Sequence, residues 1–496
     1  MGARGVETGA LSLCDMAVTS NFTKPAGEGI DHAVILGAGA SGLAAAWELS
    51  RRGMAVTVVE KERSALGGRS RTLEFMGCRF DIGPQPLFST SEEVAAFFRA
   101  QAGDQLSEAV GRSRILNRGS YLETPVGRWN ALLSLGPAEA ARCLLSLAQA
   151  RLDPIAAPVT LEDWARNELG TRAFYRFYGG YFEKIWGLPA AALSVEQQGD
   201  WLAPLLSAPA RFKYPRLGIG QLWQSVAARL ESSGHRVRLG EQVVAVRHAR
   251  GRVIAASLRD SSGRLVDLVG SHFLSTLPIG ELIARLLPAA PAAVLRAAQT
   301  LNHRDLVTVN VVLDRSETFP DHWIDVFDPR VGVARISNFK NFSGAMVADP
   351  GLTGLGMEYF CSPGDEVWSA TDAELLDLGR RELVALGICQ PDDVKAGMVY
   401  RQKEVLSLPG EATQGCLSLV LDWLERALPN LKLAGTHDWW GQAQQDASIS
   451  EGLMSAREIA SQTEARAVDA SLTRAHAGAR EGVDILVGFR SGVAQR

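Results

Sequence analysis

Gly37-Ala38-Gly39-Ala40-Ser41-Gly42 is the stretch of sequence that decides the fold. An apolar run from His32 to Leu36 precedes it, and apolar residues recur at helical spacing from about Ser41 to Arg52. A second apolar run, Ala55 to Val59, ends in Glu60. This order of strand, glycine loop, helix and strand predicts a βαβ unit. Its loop and helix N-terminus would bring backbone N–H groups to a pyrophosphate.

The glycines and the acid have separate expected roles in that unit. Gly37 permits the tight turn, Gly39 the close approach of a phosphate, and Gly42 the packing of helix on strand. Glu60, 18 residues after Gly42, is placed to accept both hydroxyls of an adenosine ribose. Because a carboxylate there repels a 2′-phosphate, NADP is disfavoured and an unphosphorylated dinucleotide is predicted.

Composition excludes several classes of function. The chain has 496 residues, 46% of them hydrophobic, and a formal net charge of −4, a profile typical of a soluble globular protein without a nucleic-acid surface. Its 6 cysteines have no C-x-x-C spacing, and its 8 histidines form no ligand cluster, so no metal is expected. Neither a membrane span nor a signal peptide is recognisable, and we therefore expect a cytoplasmic location.

The sequence predicts a discontinuous cofactor domain with a substrate domain inserted twice. Residues 31–95, 225–290 and 430–464 carry the nucleotide-type pieces, whereas 96–224 and 291–429 form the substrate domain. Residues 1–30 are an N-terminal extension, and 465–496 a C-terminal tail. The expected class is α/β plus α+β, with residues 96–210 mainly helical and strands from about 305 to 360.

Two segments after the βαβ unit carry a family resemblance. Gly67-Gly68-Arg69-Ser70 is followed by Phe80-Asp81-Ile82-Gly83-Pro84-Gln85, and both resemble motifs of the flavin amine oxidase and protoporphyrinogen oxidase superfamily. The resemblance implies non-covalent FAD in a Rossmann-like domain of the glutathione reductase type. It also places Arg69 along the pyrophosphate and the Gly83–Gln85 backbone near the isoalloxazine.

Three further segments fit the same superfamily: residues 240–246, residues 275–278, and the pair 430–436 and 446–452. In the family these hold the adenine, lead back to the cofactor domain, and face the pyrimidine and ribityl end of the flavin. The residues that the resemblance assigns to FAD are Gly37, Ala38, Gly39, Ala40, Ser41, Gly42, Glu60, Lys61, Gly67, Gly68, Arg69, Gly83, Pro84, Gln85, Val243, Thr276, Gly435, Asp446, Ser448 and Ile449.

A narrower resemblance lies between the cofactor segments. Residues 181–189, 214–223 and 335–342 are similar to elements of a bacterial branch between protoporphyrinogen oxidase-like proteins and UDP-galactopyranose mutases. The chain departs from that branch at Pro84-Gln85 and at residues 437–442, where polar groups suited to a sugar nucleotide are replaced. This favours a flatter and less charged substrate.

The candidate substrate-pocket residues are Gln85, Trp186, Trp439 and Trp440, and the candidate catalytic residues are His437, Asp438 and Lys340. Ordinary packing of a tryptophan and a structural role for Lys340 are open alternatives. Many amine oxidases carry a lysine near the flavin on the strand corresponding to Leu306–Val312, and this chain has none there.

The resemblance implies an FAD-dependent oxidase or dehydrogenase that removes a hydride from a C–N or C–C bond of a small metabolite in a biosynthetic, secondary-metabolite pathway, with O2 as electron acceptor. One alternative is a mutase-like isomerase acting on a sugar nucleotide. Another is a non-catalytic flavoprotein partner. The substrate and the oligomeric state stay open.

Overall fold

The fold is taken from a computed structural model that describes residues 31–88, 91–124, 136–195, 211–408, 411–435 and 445–464, and the backbone of 22–23. The strands, in chain order, are β1 (Phe22–Thr23), β2 (His32–Leu36), β3 (Ala55–Glu60), β4 (Thr72–Phe75), β5 (Cys78–Asp81), β6 (Leu106–Val110), β7 (Ser113–Asn117), β8 (Ser120–Glu123), β9 (Arg211–Pro215), β10 (Arg236–Leu239), β11 (Gln242–Ala249), β12 (Arg252–Arg259), β13 (Leu265–Val269), β14 (His272–Ser275), β15 (Leu286–Leu287), β16 (His303–Leu313), β17 (Trp323–Val326), β18 (Arg335–Asn338), β19 (Thr353–Cys361), β20 (Val394–Ser407) and β21 (Leu431–Leu433).

The helices alternate with these strands. They are α1 (Ala40–Arg51), α2 (Glu92–Ala102), α3 (Pro137–Leu152), α4 (Leu161–Leu169), α5 (Thr171–Phe174), α6 (Gly180–Trp186), α7 (Gly220–Ser232), α8 (Ile279–Ala284), α9 (Ala292–Gln299), α10 (Phe339–Phe342), α11 (Glu366–Ser369), α12 (Asp372–Ala385), α13 (Glu411–Ala427) and α14 (445–464). A π-helical turn, Tyr175–Gly179, joins α5 to α6. Within the described residues, no helix is long and apolar enough to cross a membrane.

A parallel sheet of five strands forms the first layer, in the order β10-β3-β2-β14-β21. Its strands come from the start, the middle and the end of the chain. Helices α1, α7 and α14 pack their apolar residues on one face, in a core that contains Leu43, Trp223 and Ile449. The other face packs on β11 and β12 and on helices α8, α9 and α13. Both faces are buried, as is usual for parallel sheets.

The second layer is a seven-stranded sheet in the order β20-β16-β19-β18-β17-β7-β8. Alternate residues of its central strands, such as Val309 and Met357, pack under α12. The residues between them face the first layer. The class expected from the sequence, a mixed α/β fold with a parallel sheet and additional sheets, is confirmed.

One prediction about this half is correct only in part. Residues 96–210 were expected to be mainly helical, but 106–123 contain the strands β6, β7 and β8. Each has only four or five residues, too few to show a period-2 pattern clearly. Distant partners complete them, since β6 pairs with β9 and β7 with β17. Residues 137–186 do contain the expected helices.

Candidate functional site

A cleft of about 600 Å³ runs between the two layers and is bounded by the loops at the carboxyl ends of β2 and β3. Helix α1 begins at one wall with Gly39 as its N-cap, and no side chain caps it. Its first backbone N–H groups are therefore left for an anion, and the helix dipole adds a partial positive charge there. A Cβ at position 39 would meet no atom within 4 Å, so the loop leaves open space at the point where a phosphate would approach.

Two glycines fix the shape of this loop. Gly37 has φ +108°, a value that favours glycine, and its N–H donates to the Val59 carbonyl oxygen at 2.8 Å. A Cβ on Gly37 would overlap Thr276 Oγ1, and a Cβ on Gly42 would overlap the Gly37 carbonyl oxygen. The loop is thus closed on its protein side, while the side at Gly39 is open.

Glu60 holds the loop from the end of β3. Its Oε2 accepts a hydrogen bond from the Ala38 N–H and its Oε1 one from the Glu62 N–H, both at 3.0 Å. The side chain still lines the cleft. Each carboxylate oxygen retains lone-pair capacity for a further donor, such as a ribose hydroxyl.

The second glycine motif docks against the first. The Gly67 N–H donates to the Ala38 carbonyl oxygen at 2.8 Å, and a Cβ on Gly68 would lie 3.1 Å from the Gly39 Cα. Arg69 donates to the carbonyl oxygen of Val405, which belongs to β20 on the other layer. The G-G-R segment therefore joins the phosphate loop to the opposite wall of the cleft.

The C-terminal helix closes the same site from the far end of the sequence. Ser70 Oγ donates to Gln445 Oε1 at 2.7 Å and accepts from Trp223 Nε1 at 2.8 Å. Gln445 Nε2 is buried and has no partner among the described residues, and Gln445 lines the cleft. A buried N–H2 group without an acceptor costs free energy, which a bound acceptor would recover.

Most residues predicted to hold FAD line this cleft: Gly37, Gly39, Ala40, Ser41, Glu60, Lys61, Gly67, Gly68, Arg69, Gly83, Pro84, Gln85, Val243, Thr276, Gly435 and Ser448. Ala38 and Gly42 shape the loop, Asp446 follows Gln445 at the start of α14, and Ile449 is buried in the core beside α1. The structure thus collects residues from both ends of the chain at one site.

The predicted substrate-side residues are more dispersed. Gln85 lines the cleft, and its Nε2 donates to the Ile82 carbonyl oxygen at 3.2 Å. Trp186 is fully buried in an aromatic core of the helical segment instead. Lys340 donates to the carbonyl oxygens of Ser316, Pro350 and Leu352, a structural role, and is not among the described residues that line the cleft. His437, Asp438, Trp439 and Trp440 lie outside the described residues.

A row of side chains that the sequence analysis missed crosses the floor of the cleft. Residues in direct register on five adjacent strands, β20 to β17, share one face of the sheet: Tyr400, Thr308, Glu358, Arg335 and Asp325. Three of them, Tyr400, Glu358 and Arg335, line the cleft. The available signal was an acid in the otherwise uncharged strand Thr353–Cys361.

Glu358 faces the Gly83 turn. A Cβ at position 83 would lie 3.4 Å from Glu358 Oε2, so the carboxylate lies beside this glycine, and both residues line the cleft. Arg335 NH1 is 3.8 Å from the same oxygen, while Arg335 Nε donates to Asp325 Oδ1 at 2.9 Å. Burial raises the pKa of Glu358 to about 7, with Arg335 lowering it and Asp325 raising it.

The geometry is that of a dinucleotide-binding fold, in which the seven-stranded sheet lies across the cleft from the glycine loop of the parallel sheet. The chain belongs to the family of flavin-containing amine oxidoreductases, whose model matches residues 40–460. It is therefore an FAD-dependent oxidoreductase, and the predicted family and cofactor are confirmed.

Among curated proteins, the phytoene dehydrogenase of Streptomyces griseus is 41% identical over 86 residues, which are 17% of this chain and 16% of that protein. The chain thus matches only a small part of this relative's length. Among solved structures, a reduced UDP-galactopyranose mutase aligns with a TM-score of 0.72 at 18% identity, over 86% of this chain and 93% of that one. A protein described as a protoporphyrinogen oxidase from Exiguobacterium sp. 255-15 aligns with a TM-score of 0.69 at 17% identity, over 88% and 100%. At these identities the structures show a shared fold.

Proposed function

We propose that this chain is an FAD-dependent oxidase or dehydrogenase that removes a hydride from a C–N or C–C bond of a small biosynthetic metabolite. The observation that carries the proposal is the cleft itself. The phosphate loop and the Gly83 turn line one side of it, and Tyr400, Glu358 and Arg335 of the row described above line its floor. When bound, FAD supplies the hydride acceptor. The protein has to orient the donor carbon, exclude water and accept a proton.

The proposal extends to the division of the chain into domains. We propose that residues 31–95, 225–290 and 430–464 form an FAD domain of the glutathione reductase type, and that 96–224 and 291–429 form the substrate domain. Strands of the parallel sheet come from the first group, and strands of the seven-stranded sheet from the second. Pocket residues from both groups would then enclose the substrate.

The walls beside the Gly83 turn favour an apolar, partly flat substrate skeleton. Leu306, Phe360 and Tyr400 line the cleft on the face that carries Glu358. The guanidinium next to Glu358 belongs to Arg335, which is already paired with buried Asp325. A diphosphate group at this point of the cleft would therefore meet a guanidinium that is already neutralised.

Anaerobic mixing separates the alternatives. FAD-loaded protein is mixed without oxygen with a panel of primary and secondary amines, cyclohexylamine and putrescine among them, and the flavin absorbance is followed. We expect at least one amine to bleach the flavin without an added reductant. A mutase would not bleach, and would convert UDP-galactopyranose only after reduction by dithionite. A non-catalytic flavoprotein would do neither. Admitting air to the bleached enzyme then tests O2 as the acceptor.

A further inference from the structure

Glu358 is the fully buried glutamate that lines the cleft beside the Gly83 turn and has an oxygen without a partner among the described residues. Glu241 and Glu404 also line the cleft with an unpartnered oxygen, but both are only half-buried. Glu358 is 4% exposed, and its Oε1 has no hydrogen-bond partner among the described residues. The other buried glutamate of the same layer, Glu382, accepts hydrogen bonds from the N–H groups of Gly332 and Val333 and from the Tyr359 hydroxyl. Glu382 is satisfied by the fold, whereas Glu358 is left with an open acceptor. A buried acceptor without a donor is costly unless a ligand completes it.

The charges around Glu358 leave it without a full counter-ion. Arg335 binds Asp325 at 2.9 Å but is 3.8 Å from Glu358, beyond hydrogen-bond distance. Asp325 also accepts a hydrogen bond from the Tyr181 hydroxyl at 2.7 Å. With both carboxylates ionised, the cluster carries one net negative charge in a buried site. An incoming cation, or a proton, would neutralise it.

We propose that Glu358 is the catalytic base of the cleft, which takes a proton from the ammonium group of an amine substrate. The inference rests on the proposed function and narrows it from C–N or C–C oxidation to C–N oxidation. Asp325 is a positioning residue, because it holds Arg335 away from Glu358 and so keeps the carboxylate available.

The step balances with FAD as the oxidant. The substrate enters as an ammonium ion, and one N–H proton moves to a Glu358 carboxylate oxygen. The nitrogen lone pair released in this way forms a C=N bond as the neighbouring C–H bond breaks. Bound FAD would supply the acceptor for the hydride, which carries the electron pair of the broken C–H bond, so the two-electron oxidation of the substrate is balanced. The proton on Glu358 is then released to water.

The side-chain environment suits this role. Phe360 lies two residues after Glu358 on the same face of β19, and Leu306 is its partner on β16. Both line the cleft and would offer apolar contacts to the substrate skeleton. Titratable groups near Glu358 are Arg335 on β18, Asp325 on β17, Tyr181 on α6 and Tyr400 on β20, and the Arg71 guanidinium lies over the Tyr400 ring and lines the cleft. A base is most effective when its pKa is near the working pH, and burial raises the pKa of Glu358 to about 7.

The first arm of the test needs no turnover. Methylammonium chloride is titrated into the FAD-loaded wild type, Glu358→Gln and Glu48→Gln, and the flavin absorbance spectrum is recorded from pH 6 to pH 9. Glu48 is a buried acid of α1 that binds Arg52, away from the cleft. We expect saturable binding in the wild type and in Glu48→Gln, strengthening as the pH rises through about 7, and at least tenfold weaker binding in Glu358→Gln. Sodium chloride should have no such effect. Absence of binding in the wild type, or equal binding in Glu358→Gln, would overturn the proposal.

Asp325→Asn tests the positioning role by a pH profile. The change frees Arg335 to pair with Glu358, so the midpoint of the methylammonium pH profile should fall. An unchanged midpoint contradicts that role.

The second arm measures anaerobic flavin reduction by the amine that bleaches the wild type. The limiting rate in Glu358→Gln should be about 100-fold lower, the scale expected for loss of a general base. Equal rates at every pH would overturn the proposal. If no amine reduces the wild type, the proposed function fails in its C–N form, while the methylammonium titration still decides whether Glu358 receives a cation.

Discussion

Glu60 Oε2 accepts a hydrogen bond from the Ala38 N–H at 3.0 Å, so the acid at the end of β3 holds the middle of the glycine loop in place. Its other oxygen binds the Glu62 N–H. One carboxylate thereby joins the two strand ends of the βαβ unit at the edge of the cleft. The same side chain is the one expected to bind the adenosine ribose, so a change at Glu60 tests both roles.

Glu60→Gln should weaken FAD binding. Glutamine offers one acceptor oxygen and turns an N–H2 group toward the other backbone N–H, so a hydrogen bond to a charged group is lost. The expected increase in the FAD dissociation constant is about 10- to 100-fold. Titration of the apoprotein with FAD, followed by quenching of flavin fluorescence, measures it. Glu74→Gln, an exposed change on β4, is the control. Equal dissociation constants for Glu60→Gln and the wild type would remove Glu60 from the site.

Gly39→Ala and Gly42→Ala should separate binding from folding. The Cβ at position 39 enters open space, so the free energy of unfolding of Gly39→Ala should lie within about 0.5 kcal/mol of the wild-type value. It should nevertheless bind FAD at least tenfold more weakly, because the methyl group occupies the approach of the pyrophosphate.

At position 42 the Cβ overlaps the Gly37 carbonyl oxygen, and we expect a loss of roughly 1–3 kcal/mol in the free energy of unfolding. Chemical denaturation and FAD titration of both variants check this. Normal FAD affinity in Gly39→Ala would contradict the placement of the phosphate.

Gln445→Leu should lower FAD affinity without unfolding the chain. Its Nε2 has no acceptor among the described residues, so the apoprotein loses only the hydrogen bond from Ser70. If the cofactor completes the amide, the FAD dissociation constant should rise about 5- to 30-fold. Calorimetric titration of the apoprotein provides the measurement. An unchanged constant would mean that FAD does not reach Gln445.

Lys340→Met is expected to affect stability and leave flavin reduction intact. The ammonium group binds three carbonyl oxygens that tie α10 to the turns around residues 316 and 350–352. Loss of these bonds should cost about 1–3 kcal/mol of unfolding free energy. Anaerobic reduction of the flavin should proceed at the wild-type rate in folded protein. A hundredfold slower reduction would restore Lys340 as a catalytic candidate.

The free energy of unfolding of the apoprotein should depend on pH through the protonation of Glu358. The pKa of this carboxyl is raised from 4.5 to about 7 by burial, so the folded chain binds a proton that the unfolded chain has released between these values. Its contribution is therefore complete below pH 4.5 and is lost as the pH rises through 7. Glu358→Gln has no proton to lose, and at pH 8 it should be more stable than the wild type by up to roughly 3 kcal/mol. Urea unfolding between pH 5 and 8 measures the difference, and a difference that does not vary with pH would contradict the burial of a free carboxylate.

The cofactor half could be predicted from the sequence because its interactions are local. One βαβ unit contains Gly37, Gly39, Gly42 and Glu60, so the sequence spacing of these residues is enough to predict that they lie close together in space. The contributions of Val243 and Ser448 were predicted only through the family resemblance, and both line the cleft.

The floor of the cleft could not be predicted in this way. Tyr400, Glu358 and Asp325 come from strands separated by long stretches of chain, and only the register of the seven-stranded sheet brings them into one row. The sequence shows each as an ordinary polar residue in a strand. Trp186 illustrates the converse, since its motif suggested a pocket while its side chain completes a core.

A crystal structure of the FAD-loaded chain with methylammonium would show whether FAD and an amine meet at Glu358. We expect the pyrophosphate at Gly39 and the N-terminus of α1, the isoalloxazine beside Gly83, and the methylammonium nitrogen within about 3 Å of a Glu358 carboxylate oxygen on the open face of the ring. A ring placed away from Gly83, or a Glu358 carboxylate shielded from the ring by protein, would contradict it.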